Sequence, residues 1–156
     1  MRKKLIPLLF LVFVLFIWAC ASISTPPNNP TSPSIIVQSE DENLDEDHYR
    51  YWSSITITTT GEMYGWINLT HWDEDYGLEI LLMTVSDFAD FKNGDAYAAW
   101  QKSIFVKGRH DFHFSNVTPD NYVLVVDNSN LGEVDTDFDF VNDYAVFGLE
   151  AYFEPY

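Results

Sequence analysis

From Tyr49 onward, apolar and polar side chains alternate along the chain with a period of two. Ile55 and Ile57 alternate with threonines. After the Gly61-Glu62 pair, the apolar face of the next segment carries Met63, Gly65, Ile67 and Leu69. A period of two is that of a strand with one buried face. The pattern predicts two half-buried strands that pair as a hairpin around Gly61.

Later segments predict further strands. Leu78–Val85 is apolar at nearly every position, which favours a central strand, and Tyr122–Val126 predicts a strand buried on both faces. Alternation returns at His110–Phe114 and at residues 145–153. The one stretch without this period ends in Ala96–Trp100, which predicts a short helical turn. About seven or eight short strands separated by turns predict an all-β fold, a single antiparallel β-sandwich of jelly-roll-like form.

The first twenty residues carry the pattern of an export signal. Basic residues at positions 2–4 precede an uncharged apolar run, Leu5–Trp18, and Ala19 precedes Cys20, the only cysteine of the chain. A positive start, an apolar segment and a small residue before the cut mark a secretory signal. We therefore expect residues 1–19 to be a lipoprotein-type signal peptide and Cys20 to be the lipidated residue.

Two alternatives remain open for this segment. Leu5–Ile23 approaches the roughly 20 apolar residues that cross a bilayer, so an uncleaved anchor helix is one. Cleavage without lipidation is the other, because Trp18 stands where a lipoprotein signal usually has a smaller residue. Each alternative exports the rest of the chain, since the basic start stays on the cytoplasmic side. The predicted location is extracytoplasmic, at a membrane that holds the chain by lipid or by helix.

Residues 20–48 predict a linker. Ser, Thr, Pro and Asn dominate residues 21–39, and an acidic run occupies residues 40–47. Segments of such composition bury little surface and stay extended and solvated. We therefore expect a disordered linker over residues 20–48 and one folded domain over residues 49–156.

The charge balance excludes one class of partner. The chain carries a net charge of −16, and loss of the signal would remove three of its eight Lys and Arg residues and none of its 24 acids, leaving −19. Such a surface repels nucleic acid and anionic headgroups and attracts cations. With its one cysteine assigned to the anchor, the domain has no internal disulfide.

Acidic residues near the C-terminus suggest a calcium site. Asp135, Asp137 and Asp139 open like an EF-hand loop, but Phe140 and Val146 stand where that loop needs Gly and Glu. A looser oxygen-lined site remains a hypothesis, and a solvated acidic loop is its alternative. That site would use Asp135, Asp137, Asp139, Asp143 and Asp127. The acidic run of residues 73–75 is a second, weaker cluster, and no other cofactor is expected.

The aromatic residues suggest a second kind of site. Tyr64 and Trp66 fall on the face opposite Met63, and Trp72 follows closely in sequence. An exposed strip of Tyr64, Trp66 and Trp72 would stack on sugar rings, as in carbohydrate-binding modules. The alternative is that these side chains fill the second face of a sheet or an interface.

Other motifs concern modification and catalysis. Asn68-Leu69-Thr70 and Asn116-Val117-Thr118 match the acceptor pattern for N-glycosylation at Asn68 and Asn116. The chain lacks a nucleophile elbow, a zinc-protease motif and a phosphate loop. His110 and His113 are three residues apart, which places them on opposite faces of a strand. The sequence therefore favours a protein that is not an enzyme.

Two segments resemble a known family. The segments are Leu82-Met83-Thr84-Val85-Ser86-Asp87-Phe88-Ala89-Asp90-Phe91 and Thr118-Pro119-Asp120-Asn121-Tyr122-Val123-Leu124-Val125-Val126-Asp127-Asn128. They are similar to the strand-plus-acidic-loop and turn-plus-strand segments of pre-peptidase C-terminal (PPC) type domains, with Asp120 where the family usually has Gly. The resemblance implies a β-sandwich that serves secreted proteins as an accessory or binding module, without catalytic residues.

The sequence thus supports one leading hypothesis and two alternatives. The leading hypothesis is a non-catalytic β-sandwich, anchored in the membrane and exposed outside the cytoplasm, with a structural or binding role at the cell envelope. Its expected partners are the membrane and a cell-surface protein or glycan. The alternatives are a carbohydrate-binding module and a calcium-stabilised surface domain.

Overall fold

The computed structural model describes residues 33–72, 77–134 and 144–156. These ranges contain strands and one helix, in the order β1 Ser34–Leu44, β2 His48–Ile57, β3 Gly61–Trp72, β4 Leu78–Thr84, α1 Val85–Asn93, β5 Trp100–Ile104, β6 Gly108–Val117, β7 Asp120–Asn128 and β8 Ala145–Pro155. Within them no helix is long and apolar enough to cross a membrane.

The strands form two four-stranded antiparallel sheets. Sheet A has the order β1-β8-β3-β6, and sheet B has the order β2-β7-β4-β5. Side chains from both sheets form a common core that includes Met63 and Phe147 of sheet A and Ile80 and Leu124 of sheet B. The predicted all-β antiparallel sandwich is confirmed.

The predicted hairpin around Gly61 is wrong. β2 pairs with β7 in sheet B, whereas β3 pairs with β6 and β8 in sheet A. Residues 58–60 therefore carry the chain from one sheet to the other. The two half-buried faces meet across the core instead of lying side by side, which satisfies the same alternation of apolar residues.

The folded domain begins earlier than Tyr49, so the predicted linker is wrong over its second half. Residues 34–44 form β1, which pairs with β8 and buries Val37 and Leu44 in the core. Glu40 and Asp41 of this segment are exposed, whereas Glu42 is partly buried and accepts hydrogen bonds from Ser39 and Arg50. An acidic segment thus forms an edge strand, where charged side chains discourage pairing with another chain.

Helix α1 occupies Val85–Asn93, ahead of the predicted helical turn at Ala96–Trp100. Thr84 caps its first turn by accepting a hydrogen bond of 3.1 Å from the Asp87 amide. Gly94 ends it in the left-handed conformation, with φ of 71°. A non-glycine residue adopts that conformation only at a cost, so the glycine suits the end of a helix.

The helix covers the outer face of sheet B. Its Phe88 and Phe91 pack on side chains of β4 and β7, and together these form an outer core of Leu81, Met83, Phe88, Phe91, Val123 and Val125. This second layer explains why residues 80–83 of β4 and 122–126 of β7 are continuously apolar, because both faces of these segments are buried. The prediction that Tyr122–Val126 is buried on both faces is confirmed.

Candidate functional site

The outer face of sheet A carries a group of half-buried aromatic side chains. Tyr64 of β3 and Tyr152 of β8 are direct cross-strand partners. Their ring centroids lie 5.7 Å apart with an angle of 20° between the planes. Together with Trp66, Arg109 and Glu150 they form what we call the aromatic face.

Two polar contacts hold Trp66 on this face. The indole Nε1 donates a hydrogen bond of 2.9 Å to Glu150 Oε2 on β8. The Arg109 guanidinium of β6 lies 4.6 Å from the centre of the indole ring, in cation–π geometry. Both contacts come from neighbouring strands, so the position of the indole depends on the register of sheet A.

A shallow groove of about 310 Å³ crosses the aromatic face. It is lined by Tyr64, Trp66, Arg109, Asp111 and Tyr152, among others. Flat rings beside carboxylate and guanidinium groups match the needs of a sugar, which offers apolar C–H faces and hydroxyls that donate and accept hydrogen bonds.

Acidic neighbours affect the tyrosines of this face. Burial raises the pKa of Tyr64, and the Glu154 carboxylate adds to the rise. A hydrogen bond with Glu150 raises the pKa of Tyr152. Both phenols are neutral at physiological pH. Their hydrogens point to the carboxylates of Glu154 and Glu150, so their oxygens can accept a hydrogen bond from a ligand.

Trp72 does not belong to the aromatic face, and the sequence prediction for it is wrong. Its side chain is 5 % exposed and lies in the core between the sheets. The register between β3 and β8 shifts between Leu69 and His71. Such a bulge reverses the alternation of side chains, so Trp72 turns inward although its number matches the parity of Tyr64 and Trp66.

A second unusual site lies on the outer face of sheet B. Glu79 of β4 and Asp127 of β7 are cross-strand partners, only 1 % and 2 % exposed. Glu79 Oε1 accepts a hydrogen bond from Gln101, and its Oε2 accepts one of 2.7 Å from the Glu133 amide. We call this site the acidic pocket.

The two carboxylate oxygens of Asp127 differ in their hydrogen bonding. Its Oδ1 accepts a hydrogen bond of 2.6 Å from the Ser129 hydroxyl, whereas Oδ2 has no hydrogen-bond partner in the described part of the chain. Burial raises the pKa of Asp127 to about 7; the nearby charge of Glu79 adds to the rise and the Ser129 hydrogen bond opposes it. The Ser129 hydroxyl and the backbone amides of Ser129 and Gly132 lower the pKa again, so they offset only part of the cost of burying this charge.

The carboxylates of the acidic pocket also affect the pKa of Tyr97. Its hydroxyl lies 3.5 Å from the Leu131 carbonyl oxygen, on the loop that covers the pocket. Burial raises the pKa of Tyr97 to about 12, with further contributions from the charges of Glu79, Asp127 and Glu133.

The sequence did not point to Glu79, although one signal was present. Glu79 is the only charged residue of Leu78–Thr84, a strand otherwise buried almost throughout. A single acid within such a strand needs a partner or a counter-charge, because a buried carboxylate is costly.

Of the five residues of the predicted calcium site, the structure describes only Asp127. Asp127 lies in the acidic pocket, whereas Asp135, Asp137, Asp139 and Asp143 lie outside the described residues, as do residues 73–75. Across 33–72, 77–134 and 144–156, no three Asp, Glu, His or Cys side chains converge as a metal-binding group.

The remaining predicted positions are spread over the molecule. Asn68 lies half-buried on β3, and Asn116 is exposed on β6 with φ of 56°. His113 lies 2.9 Å from Glu62 at the outer face of sheet A. Cys20 lies outside the described residues.

Comparison with known proteins leaves the family unassigned. No protein-family model matches the chain, and no curated protein matches it. A solved chain, described with the words "Bacillus endospore appendages form a novel family of disulfide-linked pili", is similar with a TM-score of 0.37 and 11 % identity. The similarity covers 80 % of this chain and 91 % of that one.

Proposed function

We propose that this protein is a non-catalytic β-sandwich that is exported, held at the membrane through Cys20, and binds a partner at the cell envelope. The basic and apolar start of the chain supports export, and the resemblance to PPC-type domains supports an accessory role. The uncleaved anchor helix is the alternative for attachment. Mass spectrometry of the mature N-terminus separates the two, because lipid attachment leaves Cys20 as the first residue.

The observation that carries the binding role is the aromatic face. Tyr64, Trp66 and Tyr152 lie together beside a groove, on the side of a four-stranded sheet that no other described element covers. The rings are held by cross-strand contacts, so little side-chain freedom is lost when a ligand binds. Their arrangement favours this face of sheet A over the outer face of sheet B, which helix α1 covers.

A carbohydrate is the ligand class that this face fits best. Sugar rings stack on aromatic side chains, and Glu150, Asp111 and Arg109 supply hydrogen-bond partners for their hydroxyls. The high density of acids argues against a polyanionic ligand, because the chain carries a net charge of −16. Neutral or amino sugars are therefore the expected class.

The test is affinity electrophoresis of the full chain in gels that contain soluble neutral or amino-sugar polysaccharides. We expect retardation of the wild-type chain by at least one such polymer. Tyr64→Ala and Tyr152→Ala should each reduce the affinity about tenfold, since one lost aromatic contact is worth on the order of 1–1.5 kcal/mol.

Tyr51→Ala is the matched control, because Tyr51 is a half-exposed tyrosine on β2 of the other sheet. It should bind as the wild-type chain does. Equal retardation of all four chains, or none for wild type, would remove the aromatic face as a carbohydrate site.

A further inference from the structure

The acidic pocket holds two buried carboxylates that face the same small space. A Cβ added to Gly132 would overlap Glu79 Oε2 and come within 2.7 Å of Asp127 Oδ2. The two oxygens therefore approach the same point, directly beneath the Gly132 backbone. Asp127 Oδ2 is the atom that has no hydrogen-bond partner among the described residues.

Two negative charges in such a space need a positive one. The groups that bond to Glu79 are a side-chain amide, a backbone amide and the Ser103 hydroxyl, which are all neutral. In the described ranges neither Glu79 nor Asp127 has a Lys, Arg or His within ion-pair distance. Like charges that share a buried site repel strongly unless a cation or a proton lies between them.

The donor set favours a hard divalent cation. Carboxylates, hydroxyls, amide carbonyls and water are the ligands that calcium takes, in six to eight positions and with tolerant geometry. The Ser129 hydroxyl places a neutral oxygen of this class beside Asp127. Gln101 instead turns its amide nitrogen towards Glu79 and holds that carboxylate in place by donating a hydrogen bond. Glu133 lies at the rim, because its Oε2 is 3.3 Å from the same Gln101 amide nitrogen.

We propose that the acidic pocket is a divalent-cation site of the calcium class, with Glu79 and Asp127 as its two charged ligands. The site is independent of the aromatic face and lies on the other sheet. Gly132 is part of it through its small size, because any side chain there would fill the space between the carboxylates. Bound calcium would fasten the loop after β7 to strand β4 through Glu79.

The experiment measures the melting temperature of the full chain in chelator and in about 10 mM calcium. Sites outside cells commonly have dissociation constants of about 10⁻⁴–10⁻³ M, so this concentration is near saturation. We expect calcium to raise the melting temperature of the wild-type chain by about 5 °C, and chelator to reverse the rise.

Two variants test the pocket in opposite ways. Asp127→Asn removes one charge with little change of shape, so the chain should be at least as stable as wild type in chelator and lose the calcium response. Gly132→Ala keeps both charges and fills the space, so it should lose the response and melt lower. Asp95→Asn, the same change at an exposed residue, is the control and should respond like wild type.

Calorimetric titration with calcium then counts the sites. Asp127→Asn should bind one calcium fewer per chain than Asp95→Asn, even if other acids of the chain also bind calcium. A wild-type chain without a calcium-dependent rise in melting temperature would overturn the proposal, and a shared proton would then explain the pocket. An unchanged calcium count and rise in Asp127→Asn would overturn it as well.

Discussion

The outer faces of the two sheets differ in what covers them. On sheet A, the outer side chains of β3 and β8 are half-buried and alternate with fully buried ones. On sheet B, β4 and β7 are buried on both faces, under helix α1 and the loops beside it. The difference shows where each sheet keeps its polar groups. Sheet A presents them to solvent beside aromatic rings, whereas sheet B encloses two carboxylates under a loop.

The largest expected effect comes from removing an aromatic ring from the outer core, which tests whether helix α1 stabilises the domain by packing on sheet B. Phe91 is fully buried and contacts Tyr49 and Tyr97 as well as Phe88. Phe91→Ala should lower the free energy of unfolding by about 3–5 kcal/mol, because it leaves a cavity between helix and sheet. Urea unfolding of the full chain measures the loss.

The control for this variant is Phe105→Ala. Phe105 is 57 % exposed in the turn between β5 and β6, and its loss should change stability by about 0.5 kcal/mol or less. Equal losses in the two variants would show that the helix does not form a packed cover.

Removing the N-terminal cap of helix α1 should lower the free energy of unfolding by less than removing Phe91 does. The Thr84 hydroxyl accepts the Asp87 amide hydrogen at the start of α1. Thr84→Ala should cost about 1 kcal/mol, because that amide loses its partner. Ser86→Ala, at an exposed position within the first turn, should cost clearly less. The comparison uses urea unfolding, and a larger loss in Ser86→Ala would contradict the assigned cap.

The smallest expected effect lies on sheet A. Arg109 is 60 % exposed in its side chain and lies over the Trp66 ring. Arg109→Ala should lower stability by about 0.5–1 kcal/mol, the size of a cation–π contact at an exposed site. Lys102→Ala, which removes an exposed cation from the edge of sheet B, should lower it less. A loss of several kcal/mol in Arg109→Ala would mean that this face is part of the core.

The sequence predicted strands better than it predicted their partners. The alternation in Ile55–Ile57 and Met63–Leu69 marks two half-buried strands correctly. It does not say that β2 and β3 lie in different sheets, because alternation records burial and not hydrogen bonding. β1 was missed because its acids mask its buried residues, Val37 and Leu44.

The sequence also predicts the aromatic face only in part, and it does not predict the acidic pocket. Tyr64 and Trp66 lie on the outer face as their parity requires, whereas the bulge after Leu69 turns Trp72 inward. A bulge adds one residue to one strand and leaves no consistent trace in a single sequence. The acidic pocket depends on the pairing of Glu79 with Asp127, 48 positions apart, and on the backbone of Gly132 above them. Only the fold brings these three residues together.

The acidic residues of β1 affect how copies of this protein meet at high concentration. Where the local concentration of a β-protein is high, the open sheet edges of neighbouring copies meet often. β1 is an edge strand of sheet A, and a bare edge of that length would pair with the edge of a neighbouring copy. Glu40, Asp41 and Glu42 place negative charge along it, and hydrogen bonds from Ser39 and Arg50 lower the pKa of Glu42. Copies that approach edge to edge at β1 therefore repel each other, which opposes the joining of their sheets into one.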